Sequence, residues 1–408
     1  MNLSYFIARR YFLSKKKKNF INIISIISML AVAVGTMSLV VVLSVFNGLE
    51  DLIRSLHNYF DPELKIEPAT GKSFEVDDDF LQRIRQVEGV AIVTQVIEDN
   101  AYIQYRNAKT LVNLKGVEDN FIEHRRLDER IVQGELKLRE GNVDYAIIGR
   151  GVQYALSLMN LNEMHSIQVY YPKRGRVSTA NIASSINRMN IMPSGVFAIE
   201  KQYDGSFIFV PLEFAKELLE YENRRTSLEI KVANGNSISA VQNRLKAALG
   251  SEFLVLNSDE QHSSLLKAIK IEKLFVYITF SFILLVASFN IFFSLTMLAI
   301  DKKTDISVLY ALGASKRLIK RIFLTEGAII SFSGALLGLS LGLIICVVQQ
   351  QFGIVSMGME TSVLENYPVK MQTADFVYTG LTIIVITMLA SYRPASIATR
   401  IDIRGGNI

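Results

Sequence analysis

Few residues in this 408-residue sequence are of the types that carry out catalysis. It has four scattered histidines and one cysteine, whereas acid–base, nucleophilic and metal chemistry need such residues in clusters. The nearest match to a phosphate-binding loop is Gly71-Lys72-Ser73, but Ile66 stands where that motif needs its first glycine. We therefore expect a surface turn there, no metal site, no cofactor in this chain and no catalytic activity. If the protein uses ATP, another chain must hydrolyse it.

The most informative pattern is a short amphipathic helix that ends in glycine. Apolar spacing predicts a helix over residues 304–312, and Gly313 suits the left-handed position that closes a helix. Such a helix can seat in a groove on a partner protein. The apolar residues that define it are Ile306, Leu309, Tyr310 and Leu312.

Long apolar stretches must position this helix. The chain is 50% hydrophobic and 20% charged, yet four stretches carry almost no charge, and about 20 apolar residues cross a bilayer as a helix. The predicted spans are residues 20–47, 272–300, 322–348 and 376–392. In the third span Gly334, Gly338 and Gly342 recur every fourth residue, which favours close helix packing; local flexibility is the alternative.

The placement of Lys and Arg predicts the orientation of these spans. The first nineteen residues hold six of them, the loop 301–321 holds six more, and the loop 349–375 holds only Lys370. Because Lys and Arg accumulate on the cytoplasmic side, we predict that both termini, the 301–321 loop and the tail 393–408 are cytoplasmic, and that 349–375 is a short periplasmic loop. Residues 1–19 are predicted to form a cytoplasmic elbow helix; a frayed basic tail is the alternative. The first apolar run is too long for a signal peptide, which indicates a retained anchor.

Residues 48–271 then form a large extracytoplasmic domain. Alternating strand and helix signals predict an α+β fold with two subdomains. Separate strands are expected at 91–96 and 101–105, and a small sheet backed by two helices is expected towards the end of the domain. Cys346, the only cysteine, lies in the third span, so no intramolecular disulfide can form. The final sheet is predicted from strands 206–210, 228–232 and 253–256 with helices 212–221 and 237–249.

One stretch of this domain, residues 172–193, is basic and lacks acidic residues. Its composition predicts a long protruding loop, which would steer an acidic partner; a solvated hairpin with incidental charge is the alternative. The basic residues are Lys173, Arg174, Arg176 and Arg188.

The helix–glycine segment resembles the coupling-helix signature of the MacB/FtsX-like permease superfamily of ABC transporters. Within it, the chain is most similar to the lipoprotein-releasing (Lol) permeases over nearly its whole length, including residues 5–11, 45–50 and 203–215. One departure is Tyr392-Arg393-Pro394-Ala395, where the family pattern is Tyr-Pro-Ala. The signature positions are Asp305, Ile306, Leu309, Ala311, Leu312, Gly313, Ala314, Ser315, Glu326 and Gly327.

The resemblance implies a MacB-like type VII ABC permease: four transmembrane helices in the cell inner membrane and a large α+β extracytoplasmic domain between the first two. The implied partners are a cytoplasmic ABC ATPase dimer that binds ATP and Mg, a second permease, a lipoprotein and a periplasmic lipoprotein carrier, with no nucleic acid. The residues implied to contact the ATPase are Asp305, Ile306, Leu309, Tyr310, Leu312, Gly313, Ala314 and Ser315.

The resemblance further implies that Val45, Phe46 and Leu49 contact the acyl chains of the lipoprotein and that the basic loop docks the carrier. Contact with lipid or another helix is the alternative for the three apolar residues. We expect Glu326 to pair with a neighbour such as Arg317 or Arg321, since acidic residues near a membrane are usually paired; a functional role of its own is the alternative.

Two other functions remain possible at this point: a MacB-type efflux permease and an FtsX-type regulator of cell-wall hydrolases. MacB-like chains usually carry a fused ATPase, and FtsX-like chains have a much smaller extracytoplasmic domain. A sensor unrelated to transporters would leave the Ala-Leu-Gly-Ala-Ser segment unexplained.

Overall fold

A computed structural model describes residues 3–12, 20–159, 161, 165–173, 185–356 and 366–399 of the chain. Four of the helices in these ranges, α2, α9, α11 and α12, are long and apolar enough to cross a membrane. In chain order the helices are α1 (Leu3–Phe12), α2 (Phe20–Phe60), α3 (Asp78–Arg85), α4 (Arg150–Ala155), α5 (Lys201–Asp204), α6 (Leu212–Leu219), α7 (Ile238–Leu249), α8 (Ser258–Gln261), α9 (Ser263–Asp301), α10 (Lys303–Ala311), α11 (Lys316–Phe352) and α12 (Thr373–Ala398).

The strands all lie between the first and second of these long helices. In chain order they are β1 (Leu64–Pro68), β2 (Phe74–Glu75), β3 (Val90–Tyr105), β4 (Ala108–Val117), β5 (Ile131–Gly134), β6 (Arg139–Glu140), β7 (Val143–Gly149), β8 (Ile167–Pro172), β9 (Ile186–Phe197), β10 (Phe207–Pro211), β11 (Arg224–Arg225), β12 (Ser227–Val232) and β13 (Phe253–Asn257).

The chain divides into two compact units. The helical unit comprises the described parts of Met1–Leu52, Lys267–Met357 and Glu365–Ile408, and the sheet unit comprises the described parts of Ile53–Leu266. Four long apolar helices and a large α/β domain between the first two of them confirm the fold class expected from the sequence.

The long helices extend beyond the predicted spans. Helix α2 continues to Phe60 instead of ending at residue 47, and α12 continues to Ala398 instead of ending at residue 392, with Pro394 inside it. Proline removes one backbone hydrogen bond from a helix, but Ala395 and Ala398 are fully buried in an apolar cluster with residues of α1 and α11. This packing keeps the last turns of α12 helical.

The sheet unit is built on an 11-stranded mixed sheet and a separate pair formed by β2 and β11. The strand order is β13-β1-β12-β3-β4-β10-β7-β9-β5, with β6 beside β7 and β8 bonded to both β3 and β9. One apolar core lies under β1, β12 and β13 with α3 and α7. A second core lies among β3, β4 and β7–β10 with α4 and α6.

Two details of this unit differ from the prediction. The expected strands 91–96 and 101–105 are one strand, β3, of 16 residues, because Asp99 and Asn100 interrupt the apolar pattern while their backbones still pair with Leu114 and Asn113 of β4. The small sheet itself is β13, β1 and β12, backed by α3 and α7. The predicted strand 206–210 (β10) and the predicted helix α6 belong to the second core instead, because β10 lies between β4 and β7.

A buried charge cluster fixes the end of α2 within the sheet unit. Glu229 of β12 is fully buried, its carboxylate lies 2.7 Å from Lys115 Nζ, and it also pairs with Arg126. Arg126 Nη1 donates a hydrogen bond of 2.8 Å to the carbonyl oxygen of Phe60, and Lys115 Nζ lies 4.7 Å from the centre of the Phe60 ring. Burial raises the pKa of Glu229, but the charges of Arg126 and Lys115 lower it by more than burial raises it. The pKa of Glu229 is therefore below its usual value.

His124 lies beside this cluster. Its Nε2 is 2.8 Å from Oγ1 of Thr94, whose hydroxyl donates to Oδ1 of Asn120; Nε2 is therefore the donor to Thr94. Burial, and then the charge of Arg126, lowers the pKa of His124 to about 4. The ring is accordingly neutral at pH 7.

Candidate functional site

Helix α10 is held against its own chain by one face. Ile306 is 1% exposed, in a cluster with Ala8, Phe323 and Ala395 from three other helices. Leu309 and Tyr310 pack against the same cluster. These three predicted coupling residues therefore anchor α10 to the helical unit.

The turn after α10 explains the Leu-Gly-Ala-Ser part of the motif. Gly313 has φ of +90°, its N–H donates to Tyr310 O at 2.9 Å, and the Ala314 N–H donates to Leu309 O at 2.9 Å. This is the Schellman arrangement, which favours glycine at the left-handed position. The Ser315 hydroxyl then accepts a hydrogen bond from the Leu318 N–H and caps the start of α11.

The opposite face of α10 is apolar, and none of the residues that the structure describes covers it. Val308 is 54% and Leu312 is 79% exposed, and Ala311 between them is exposed as well. We call Val308, Ala311 and Leu312 the outer stripe. Asp305, Gly313 and Ser315 are also exposed, while Ala314 is half-buried.

The predicted coupling residues thus separate into an anchoring set and an outward set. Sequence reasoning treated Leu309 and Leu312 as equivalent, but only Leu312 faces outward. It also missed Val308, although its spacing of four residues from Leu312 on a helix was a signal. Exposed cations flank the outer stripe along the sequence: Lys303, Lys316 and Arg317.

The three regularly spaced glycines of α11 are buried against α2. A Cβ at Gly334 would lie 2.5 Å from Met29 O, and a Cβ at Gly338 would lie 2.3 Å from Ala33 O. At Gly342 the corresponding distance to Met37 O is 3.4 Å. The absence of side chains at Gly334 and Gly338 is what allows the two backbones to approach so closely.

Glu326 has a different environment from the one expected. It is 2% exposed, and within the described residues it forms no ion pair with Arg317 or Arg321; its Oε2 has no hydrogen-bond partner. At 100° per residue, these arginines lie about 180° and 140° around α11 from Glu326, so the predicted pairing is wrong. At the neighbouring Gly327, a Cβ would lie 2.2 Å from Ser391 Oγ of α12, so the absence of a side chain permits this close approach.

The residues predicted to contact acyl chains lie near the end of the first predicted span. Val45, Phe46 and Leu49 are all half-buried, whereas Asn47 and Gly48 between them are buried. Asn47, which sequence reasoning left without a role, has hydrogen-bond partners from two other parts of the helical unit.

The predicted basic loop is shorter than expected. Strand β8 ends at Pro172 and β9 begins at Ile186, so residues 186–193 are strand rather than loop. Outward polar side chains alternate with inward ones in this strand, and the polar composition of the segment did not indicate that alternation. Exposed Arg188 pairs across to Tyr170, with its guanidinium 5.7 Å from the centre of that ring. Lys173 is exposed, and Arg174 and Arg176 lie outside the described residues.

An open groove of about 420 Å³ flanks this β8–β9 hairpin. Its aromatic and apolar lining includes Tyr102, Tyr170, Pro172 and Ile186. Because Arg188 lies over the ring of Tyr170, which lines the groove, Arg188 and the groove belong to one surface of the sheet unit.

Comparison with known proteins identifies the class. Residues 25–248 match the MacB-like periplasmic core domain, and residues 277–403 match the FtsX-like permease C-terminal domain. The first match covers more than half of the chain, so the protein belongs to the MacB-like family, with a permease module after its core domain.

The similar curated proteins are transmembrane proteins of lipoprotein-releasing systems. LolC of Buchnera aphidicola is 26% identical over 95% of this chain and 94% of its own length. LolC of Xylella fastidiosa is 24% identical over 98% of this chain and 97% of its own length, and LolE of Haemophilus influenzae is 23% identical over 98% of each. The resemblance to Lol permeases is thereby confirmed.

Two solved structures are also similar. The periplasmic region of MacB from Actinobacillus actinomycetemcomitans covers 50% of this chain and 91% of its own, with 13% identity and a TM-score of 0.35. The extracellular domain of the ABC-type transporter YknZ covers 48% of this chain and 99% of its own, with 14% identity and a TM-score of 0.34.

Proposed function

We propose that this protein is the permease subunit of an ABC transporter that releases lipoproteins from the cell inner membrane. The observation that carries the proposal is the outer stripe on α10, where Leu312 is 79% exposed while Ile306 on the opposite face is 1% exposed. A rigidly mounted helix with an uncovered apolar face favours a protein partner. The names of the similar LolC and LolE proteins supply the class of transporter.

The partner of the outer stripe is a separate cytoplasmic ABC ATPase, which works as a dimer and binds ATP and Mg. Its groove receives Val308 and Leu312, and the cations Lys303, Lys316 and Arg317 favour an acidic rim around that groove. Two permease chains, identical or different, complete the transporter. In this arrangement α10 and both termini lie on the cytoplasmic side.

The substrate is a lipoprotein in the outer leaflet of the inner membrane. Its acyl chains contact Val45, Phe46 and Leu49, whose half-buried side chains leave surface for an apolar ligand. ATP hydrolysis moves α10, and the motion drives the lipoprotein to a periplasmic carrier. The carrier docks at the β8–β9 hairpin through Lys173 and Arg188, together with Arg174 and Arg176.

The test is replacement of one outer-stripe residue. Leu312→Asp places a charge in the proposed ATPase groove, and loss of a central interface anchor costs about 2 kcal/mol or more, or about 30-fold in affinity. We expect the tagged full-length variant, purified from its own membranes in mild detergent, to lose the copurifying ATPase and its ATP hydrolysis. Lipoprotein release should fall with them.

Leu254→Asp is the matched control, because Leu254 is an exposed leucine (46%) in the sheet unit. It should keep the ATPase, its hydrolysis and release. Normal lipoprotein release by Leu312→Asp would contradict the proposal. If the wild-type chain copurified with a cell-wall hydrolase and no acylated protein, an FtsX-type regulator would replace it; export of a soluble compound without lipoprotein release would indicate a MacB-type efflux permease.

A further inference from the structure

A buried polar network joins three long helices of the helical unit. It consists of Asn47 of α2, Lys273 of α9 and Asp375 of α12; Asn47 is 1% and Asp375 is 5% exposed. Lys273 Nζ donates to Asn47 Oδ1 at 2.6 Å, and Asn47 Nδ2 donates to Asp375 Oδ2 at 2.6 Å. Lys273 Nζ also lies 3.3 Å from Asp375 Oδ1. The three contacts form a closed ring that links each helix to the other two.

The segment before α12 closes over this ring. Asn47 Nδ2 also donates to Lys370 O at 3.2 Å, and the Lys370 N–H donates to Ser44 O at 2.9 Å. A Cβ on Gly48 would lie 2.3 Å from Pro368 O, so only glycine permits this approach. These contacts explain the Asn-Gly pair between the apolar residues of the 45–50 motif.

The amide of Asn47 suits this position better than other side chains of its size. It accepts from a cation through Oδ1 and donates through Nδ2 to a carboxylate and a carbonyl, which uses both ends of the group. Leucine would make neither contact, and aspartate would place a second carboxylate against Asp375. Polar groups buried among membrane helices are costly and often have functional roles.

The ring and the outer stripe stand at opposite ends of α9. That helix is continuous from Ser263 to Asp301, and α10 begins two residues later at Lys303. From Lys273 to Asp301 the helix rises about 42 Å, at about 1.5 Å per residue. A displacement of α10 therefore reaches the ring along one uninterrupted helix.

We propose that Asn47, Lys273 and Asp375 are positioning residues that couple α9 to α2 and α12, so that the motion of α10 shifts all three helix ends together. The inference rests on the proposed function and adds residues to which that function gives no role. Without the ring, α9 would still respond to the ATPase and still pack on α2, but the polar contact that passes its motion to the Asn47 end of α2 would be lost.

The experiment measures ATP hydrolysis and lipoprotein release by the full transporter, with its ATPase, in nanodiscs. Asn47→Ala should leave the kcat and KM of hydrolysis within about twofold of wild type while release per ATP falls about tenfold. Ser25→Ala is the matched control: it removes the 2.7 Å hydrogen bond between Ser25 of α2 and Ser294 of α9 but leaves the ring intact. Its release per ATP should stay at the wild-type level.

An exchange of side chains separates positioning from mere folding. Asn47→Asp sets two carboxylates against each other, and Asp375→Asn removes the charge that faces Lys273, so each single variant should lose coupling. The double variant N47D/D375N restores a carboxylate, an amide and a lysine in one ring, and it should recover at least about half of the release per ATP.

Three results would overturn the inference: wild-type coupling in Asn47→Ala, equal loss in Ser25→Ala, or a double variant no better than the single ones. If Asn47→Ala yields little folded complex, the comparison of the double exchange variant with the two single variants tests the inference instead. Failure of the proposed function has a different signature, because wild-type chain would then release no lipoprotein, or Leu312→Asp would behave normally, whatever the ring variants do.

Discussion

The helical unit and the sheet unit each contain a buried glutamate, but only the glutamate of the sheet unit is paired with cations. In the sheet unit Glu229 is enclosed by Lys115 and Arg126 and helps to hold the end of α2. In the helical unit Glu326 is nearly as buried, yet it forms no ion pair with any of the described residues. Charge therefore holds the packing around Glu229, whereas the packing around Glu326 depends on close contact between apolar and small residues.

The comparison predicts its largest effect at Glu229. Glu229→Gln leaves two buried cations without their counter-charge, which costs about 3–5 kcal/mol. We expect the free energy of unfolding of the sheet unit to fall by that amount. Hydrogen–deuterium exchange of β12 and β3, measured on full-length protein in nanodiscs under increasing urea, reports it.

The matched control for that variant is Glu88→Gln, since the exposed carboxylate of Glu88 pairs with Arg244 at 3.3 Å. Exposed pairs contribute little, so no measurable change is expected. An equal loss in both variants would mean that the enclosed charges have no special role.

A second, smaller effect concerns acid. His124 is neutral in the folded protein because its pKa is about 4, while the unfolded ring titrates near 6.5. The unfolded state therefore takes up a proton first as pH falls, and stability decreases between about pH 6.5 and pH 4, by about 3 kcal/mol in total. His124→Gln should remove this part of the pH dependence.

The measurement for His124 is the difference between wild type and variant in unfolding free energy at several pH values, which cancels the titration of other groups. If the unfolding free energies of the two proteins changed with pH in parallel, His124 would not titrate in this range. A steeper curve for the variant would reverse the assigned direction.

The smallest effect is expected in the helical unit, at Glu326. Glu326→Gln removes no ion pair, unlike Glu229→Gln. The free energy of unfolding of the helical unit should therefore stay unchanged or rise by about 1 kcal/mol. Loss of helical circular dichroism during titration with a denaturing detergent measures it. A loss as large as that of Glu229→Gln would break the contrast between the two units.

Sequence patterns predicted the features of this protein that depend on neighbours along the chain. The four apolar helices follow from composition, and the end of α10 just before Gly313 and the start of α11 after Ser315 follow from local hydrogen-bonding rules. The side of α10 that faces outward did not follow. That helix is short and apolar on more than one side, so the packing of Ile306 against distant helices decides which residues remain exposed.

Contacts between distant parts of the chain account for the other misses. Asn47 bonds to Asp375, 328 positions further along, and nothing in the 45–50 motif indicates that partner. Glu326 was assigned to cations close in sequence that lie on the wrong side of α11. The length of β3 was underestimated because its polar middle is paired through backbone groups, which side-chain patterns do not report.

Strand β3 has a mechanical consequence. Its 16 residues span about 50 Å. Along that length it bonds to β12, β4 and β8, and it contributes residues to each of the two apolar cores described above. A pull along the strand loads many of these bonds at once in shear, instead of opening them one after another. We therefore expect the parts of the sheet unit that contain the two apolar cores to resist separation and to move together under such a pull.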